Sequence, residues 1–360
     1  MNRTLKAIIV AVALIVAGSI LAGCSLWGMD GIWGNMTGNS KTVTVQDTIT
    51  GDFTHIDVDV WEVDVTFLPS PDGTCYYKVT TYKDMPCTVT VEAGTLKIRQ
   101  EDHRQWHQYV GVFWEETSLE MYLPESVYGQ LTVTGNTGDL EIPRNFTFEG
   151  AAITTDTGDV TLGCQVGGQV NVATDTGDVT VQNTTSQAIN ADTDTGDIHL
   201  DAVTCDNISI STDTGFVRIE NADVAQMLSV ASTTGDKTLT DVQCGSLKIE
   251  STTGDNSLRN LTVAGNAKLE SDTGEWELEN VIVSGDAQLD STTGDWEFDG
   301  FDAANITMET NTGDVEGTLL SDKIFFVDSN TGDVDVPRTT TGGTCNITTS
   351  TGDIEIDIVP

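Results

Sequence analysis

The sequence predicts an all-β chain built as a parallel β-solenoid, and three observations carry that prediction. The dipeptide Thr-Gly recurs at a nearly fixed interval, and apolar residues alternate with polar ones on both sides of it. Each repeat is also too short to bury its apolar face alone, so the copies must cover one another. The repeat glycines are Gly138, Gly158, Gly177, Gly196, Gly215, Gly235, Gly254, Gly274, Gly294, Gly313, Gly332 and Gly352, and every spacing is 19 or 20 residues. Taken alone, Asp175-Thr176-Gly177 matches the tripeptide that carries the catalytic aspartate of pepsin-like proteases. Such an enzyme needs two carboxylates meeting across one cleft. Twelve copies at one period belong to the fold instead.

Aligned on the glycine, the columns read as strands. Seven and five residues before it stand pairs such as Val170/Val172, Ile189/Ala191 and Ile208/Ile210, and two and four after it Val179/Val181 and Ile198/Leu200. Period-two alternation marks a strand with one buried face. Three before the glycine is Thr or Ser in every copy but one, where Gly135 stands. The glycine supplies a positive φ that side chains resist, and an Asp or Asn two before it can bond its own backbone in the turn. A further apolar position seven after the glycine (Val203, Val242, Leu261, Val281, Phe301) predicts a third short side. Residues 131–360 therefore read as about twelve rungs of 19–20 residues. At about 4.8 Å per rung they form a rod roughly 50–60 Å long. A meander of β-hairpins is the rival, but it needs aromatics in every repeat, and only Trp276 and Trp296 fall in register.

Ahead of the rod the chain divides into three parts. Residues 1–23 have the layout of a secretory signal: basic Arg3 and Lys6, an apolar run, then Leu21-Ala22-Gly23-Cys24. This closing tetrapeptide resembles the bacterial lipobox, a resemblance that implies lipid attachment at Cys24 and cleavage before it. Residues 24–39, with glycines at 28, 31, 34 and 38, read as a flexible tether. Residues 40–130 lack the period but alternate strongly, as an all-β cap over the first rung would, since an open end is a pairing hazard.

Without Arg3 and Lys6 the chain carries 14 basic against 56 acidic side chains, a net charge of −42. That excludes nucleic acid as a partner, because phosphate binding needs a basic face. Six cysteines follow Cys24 with no Cys-x-x-Cys pair, so the zinc-knuckle signal is absent. Cys205 and Cys244 stand two repeats apart, near 10 Å by the rung spacing, which is beyond disulfide reach.

The stretches HIDVDVWEVDVTFLPS and LEMYLPESVYGQLTVTGNTGDLEIP, followed by the Thr-Gly-Asp-Val/Ile ladder, resemble the bacterial putative-adhesin family of β-strand-repeat proteins. The resemblance spans roughly residues 50–360. It implies a repeat architecture and a binding role, and it carries no catalytic residues over. The chain departs from the pattern at Phe216 and Glu275, and it places Lys237 and Asn256 where apolar residues usually follow.

Three groups of residues are candidates for function. The first is carboxylate columns in the last repeats: Glu250, Glu270, Asp290, Glu309 and Asp328 four before the glycine, and Glu277, Glu297, Glu316, Asp335 and Glu355 three after it. Like charges stacked at about 5 Å repel by roughly a kcal/mol even in water, so salt or Ca²⁺ is expected to offset them. The alternative is a solvated face that resists aggregation. The second is Trp276 and Trp296, a sugar platform if exposed and a core ladder if buried. The third is the aromatic insertion around His103 and His107, where Trp106 and Trp114 read as interface anchors. Only His199 falls among the repeats, and basic residues there are scattered, so no catalytic set presents itself. The sequence thus reads as a non-enzymatic, membrane-anchored module that binds a surface protein or glycan. An envelope-sensing lipoprotein with a membrane partner and a carbohydrate-active enzyme on a β-helix are the alternatives.

Overall fold

The computed structural model describes residues 42–104 and 116–359. Among these there is no helix, and the strands form one continuous sheet that winds as a parallel solenoid. The Gly196 rung shows the unit. Its first side, Ala188–Thr195, leads to the Thr195-Gly196-Asp197 corner, and its second side is Ile198–Asp201. A second corner at Ala202 opens onto a third side that begins at Val203. Ile189, Ala191, Thr193, Ile198, Leu200, Val203 and Cys205 all point inward and are buried. The register is in step, so that Val179, Ile198 and Val217 stack as one column.

The first corner explains the Thr-Gly-Asp motif residue by residue. All twelve repeat glycines have φ between +131° and +157°, a region L side chains rarely adopt. The rungs also come together there. A Cβ placed on Gly196 would lie 2.0 Å from the Gly177 carbonyl oxygen. The Gly196 N–H donates to the Thr214 carbonyl one rung on, at 2.9 Å. The aspartate holds the rungs from outside: the Asp197 N–H donates to Asp178 Oδ1 at 2.8 Å, and Asp178, Asp255 and Asp314 repeat the bond.

The second corner was not legible as a corner in the sequence. It falls six residues after the glycine, where Asn183, Ala202, Asn221, Asp241, Asn260 and Asn280 have φ between +52° and +56°. Asn and Asp tolerate this left-handed conformation because their side chains bond locally. Here they bond along the rod: Asn260 Nδ2 donates to Asp241 Oδ1 at 2.9 Å, and Asn280 Nδ2 to Asn260 Oδ1 at 3.3 Å.

At both ends the spatial order departs from the chain order. His55–Asp59 lies between Val127–Thr134 and Thr95–Gln100, parallel to both. Asp64–Pro69 likewise lies between Leu140–Ile142 and Ser118–Leu123. Antiparallel strands then close this end: Cys87–Glu92 pairs with Thr95–Gln100, and Tyr76–Tyr82 pairs with Ser118–Leu123 and with Thr42–Thr48. The other end repeats the interposition without the closure. The Gly352 rung, Gly343–Thr351 with Ile354–Ile358, inserts between the Gly313 rung and the Gly332 rung. This corrects the expected column of Glu309 and Asp328, because Thr348 stands between them.

The clash at the first corner yields a direct test. Gly196→Ala is expected to lower stability by on the order of 3 kcal/mol, through a strained φ and a backbone overlap that cannot relax without parting two rungs. Gly167→Ala is the control, since a Cβ there meets nothing closer than 3.9 Å. Urea unfolding should separate the two variants clearly; equal midpoints would remove the corner from its central place.

Candidate functional site

The outward positions of the second side build the strongest charged surface of the rod. Glu277, Glu297, Glu316, Glu355 and Asp335 follow one another on successive rungs, in that spatial order. Two residues further along the same face stand Glu279, Asp299 and Asp357. Among the described residues the only cation bonded to this surface is Arg259 at its near edge, with Nη2 2.8 Å from Glu277 Oε1 and Nη1 3.3 Å from Glu279 Oε2. Hydrogen bonding to Arg259 holds the Glu277 carboxyl below the ordinary range. Beyond it the carboxylates continue unpaired by any salt bridge among the described residues. The column on the first side differs: Lys248 pairs with Glu250 at 2.8 Å, Lys268 with Glu270 at 2.6 Å, and Gln288 donates to Asp290. Among the described residues no three His, Cys, Asp or Glu groups converge as a metal site.

The inward column two after the glycine carries the unusual residues. Trp276 and Trp296 are fully buried and stack with centroids 4.8 Å apart and planes 5° from parallel. They form a core ladder, and the sugar-platform reading of this pair does not survive their burial. Each indole Nε1 donates to the serine three before its own glycine, Ser271 at 2.8 Å and Ser291 at 2.9 Å. These serines are the reason the bulky residues fit. Where the inward residue is Val or Ile, as at Val179, Ile198, Val217 and Val315, the corner position is Thr174, Thr193, Thr212 or Thr310. Where it is Lys237, Asn256, Trp276 or Trp296, the position is Ser232, Ser251, Ser271 or Ser291. At Lys237, Trp276 and Trp296 one methyl group is exchanged for a larger neighbour, whereas Asn256 is no larger than Val and the outermost rung pairs Val334 with Ser329. That covariation is visible in the sequence once the two columns are read together.

A family description, Toastrack DUF4097, matches residues 53–189, 167–281 and 274–360. The chain belongs to the Toastrack DUF4097 family. Solved structures are similar to the chain at low identity. A putative adhesin from Bacteroides fragilis is 16% identical, over 61% of this chain and 96% of that one, with a TM-score of 0.43. A putative lipid binding protein from Parabacteroides distasonis is 15% identical over 89% and 98%, with a TM-score of 0.38. A putative adhesin from Parabacteroides merdae is 15% identical over 78% and 97%, with a TM-score of 0.32. No curated protein matches.

In this Toastrack chain the remaining candidates sort by environment. Trp106, Trp114, His107 and Cys24 lie outside the described residues. His103 is exposed and meets Glu101 at 2.9 Å. Nearby, Arg104 pins the base of the aromatic insertion: both its Nη atoms lie 2.8 Å from the Glu62 carboxylate, and its Nε lies 3.1 Å from Asp102. A cleft of about 510 Å³ opens beside Ile282, Ser284, Asp302, Ser321, Lys323 and Gly342. Its buried Lys323 Nζ is 2.5 Å from Asp302 Oδ1 and also bonds Ser321 Oγ. The six cysteines among the described residues are free thiols, and burial pushes Cys164, Cys205, Cys244 and Cys345 up to about 12, where they are unreactive.

Lys237 is the exception inside the Toastrack core. It is fully buried, and its Nζ reaches only the Gly235 carbonyl and Ser251 Oγ, both at 2.7 Å. Burial pushes its ammonium down to about 8, against the weaker pull of Asp236 and Asp255. The unfolded chain titrates near 10.4. Between those values the unfolded state holds a proton that the folded state has released, so stability rises with pH across that window. Lys237→Met removes the titration. The stability difference between wild type and variant should therefore change by about 3 kcal/mol from pH 7 to pH 10.5. Urea melts that stay parallel across this range would show that the lysine is not desolvated.

Proposed function

We propose that this chain is a lipid-anchored, extracytoplasmic rod that binds a surface protein or glycan without catalysis. The observation that carries the reading is the continuous carboxylate face of Glu297, Glu316, Glu355 and Asp335 on a rod with a fully packed interior. Stacked strands hold these side chains at a fixed spacing, so their mutual repulsion is built in rather than avoided. A rigid array of this kind suits ligands that carry positive charge, or divalent cations shared between carboxylates of neighbouring rungs. The lipobox-like Leu21-Ala22-Gly23-Cys24 supports attachment at the membrane end, and the glycine-rich stretch after it supports a tether.

Two measurements test the two halves of this reading. Cys24→Ala is expected to abolish lipid attachment and to release or mislocalise the protein, read by fractionation and intact mass. Membrane retention at unchanged mass would remove the anchor. For the face, Glu297, Glu316 and Glu355 changed together to Gln should raise stability at low salt by about 1–2 kcal/mol, because close like charges repel. Glu277 is left in place because Arg259 already offsets it. Calcium should raise the wild-type melt more than sodium at equal ionic strength, and should do so less in the variant. A melt indifferent to both ions would show that the face stores no repulsion.

A further inference from the structure

The two ends of the rod are not finished alike. At the N-terminal end the core stops under antiparallel strands, and Phe67, Leu96, Ile98, Leu119 and Met121 are completely buried. At the other end the outermost rung is Lys323–Ser329 with Val334–Asp335, and it pairs on one side only, with the Gly352 rung. Its inward residues Phe325, Val327 and Val336 pack against the core yet stay half-exposed, because no rung follows. Phe326 is 60% and Val334 45% exposed.

The backbone is unfinished there as well. Along the rod each glycine N–H donates to the threonine carbonyl of the next rung, from Gly313 to Thr351 and from Gly352 to Thr331, both at 3.0 Å. Each aspartate carboxylate accepts from the next rung, Asp314 from the Asp353 N–H at 2.8 Å and Asp353 from the Asp333 N–H at 2.7 Å. At Gly332 and Asp333 both series reach their last member. The edge strand, Ile324-Phe325-Phe326-Val327, has no outward lysine or proline of the kind that blunts exposed edges.

We propose that this end is a strand-augmentation site for an extended segment of a partner protein in which apolar residues alternate with basic ones. The ladder itself specifies that pattern. A strand continuing the register sets every second side chain over Phe325 and Val327, which calls for apolar residues. The intervening side chains lie over Ile324, Phe326 and Asp328, and Asp322, Asp333 and Asp335 are exposed on the same rung. Lys323 is buried against Asp302, so among the described residues of this rung only Arg338 offers an exposed opposing charge, and the outward positions call for cations. A second acidic copy of this chain lacks that complement. The site extends the surface-binding reading to a defined edge, but it does not depend on lipid attachment or on the lateral acidic face.

The test uses the full-length chain in detergent and two heptapeptides of one composition. Lys-Val-Lys-Phe-Lys-Val-Lys alternates, and Lys-Lys-Lys-Lys-Val-Phe-Val does not. The alternating peptide is expected to bind at least tenfold more tightly by calorimetry and to slow amide exchange in residues 324–328. Phe326→Lys places a cation on the exposed edge without touching the core; it should abolish that preference while leaving the melting temperature unchanged. Changing Glu297, Glu316 and Glu355 to Gln should leave the preference intact, which separates this site from the lateral face. Equal binding of both peptides, or protection confined to residues 297–316, overturns the proposal. So does protection of 324–328 that grows with protein concentration in the absence of peptide, because the occupant is then a second copy.

Discussion

Everything in this fold depends on how closely two backbones approach at the glycine corner. With the Gly177 carbonyl 2.0 Å from where a Gly196 Cβ would lie, the contact admits no side chain. The same approach recurs at each repeat glycine, so the corners form a line along which the rungs register against one another. Parallel strands slip easily when nothing marks their phase. Here the marker is steric, and the aspartate bonds outside and the hydroxyls inside follow from it. Once the corner is in phase, every column on the three sides is in phase too.

The interior shows what that fixed geometry demands of the sequence. A rung cannot widen locally, since its corners are tied to the rungs on either side. The stacked Trp276 and Trp296 are therefore accommodated by removing a methyl group opposite, at Ser271 and Ser291, and their indole N–H groups are satisfied by the same serines. Close packing accepts an exchange of volume more readily than an addition. Lys237 obeys the rule for volume but not for polarity, because Ser251 and a carbonyl solvate its ammonium without a counter-charge. It remains the one inward residue whose charge the fold works against.

Much of this was legible before any coordinates. The 19–20-residue period, the two strands flanking Thr-Gly and the recurrence of Thr or Ser three before the glycine follow from spacing and alternation alone, whereas the burial of that hydroxyl column does not. The second corner was not, because Asn, Asp and Ala share it, and no single residue type marks a left-handed position as Gly does. The role of the aspartate was hidden for another reason: it acts between rungs, whereas a linear reading shows it only within one. Both carboxylate columns were misread in order, and on the second side Glu355 stands between Glu316 and Asp335. Thr348 breaks the first-side column because chain order and stacking order part company at the Gly352 rung. No local pattern reports an exchange of order between two near-identical repeats.

That exchange has a consequence for how such a rod can change length. At each end a strand from nearer the terminus is held between two rungs, so neither end grows by adding a repeat to the chain. A copy appended after residue 360 would follow a strand already enclosed between neighbours, and it would have no adjacent open edge on which to continue the winding. Repeats between Gly158 and Gly294 stack in simple succession, and one can be duplicated or lost there without disturbing either terminus. The rod is thus extensible only from within its run of successive rungs.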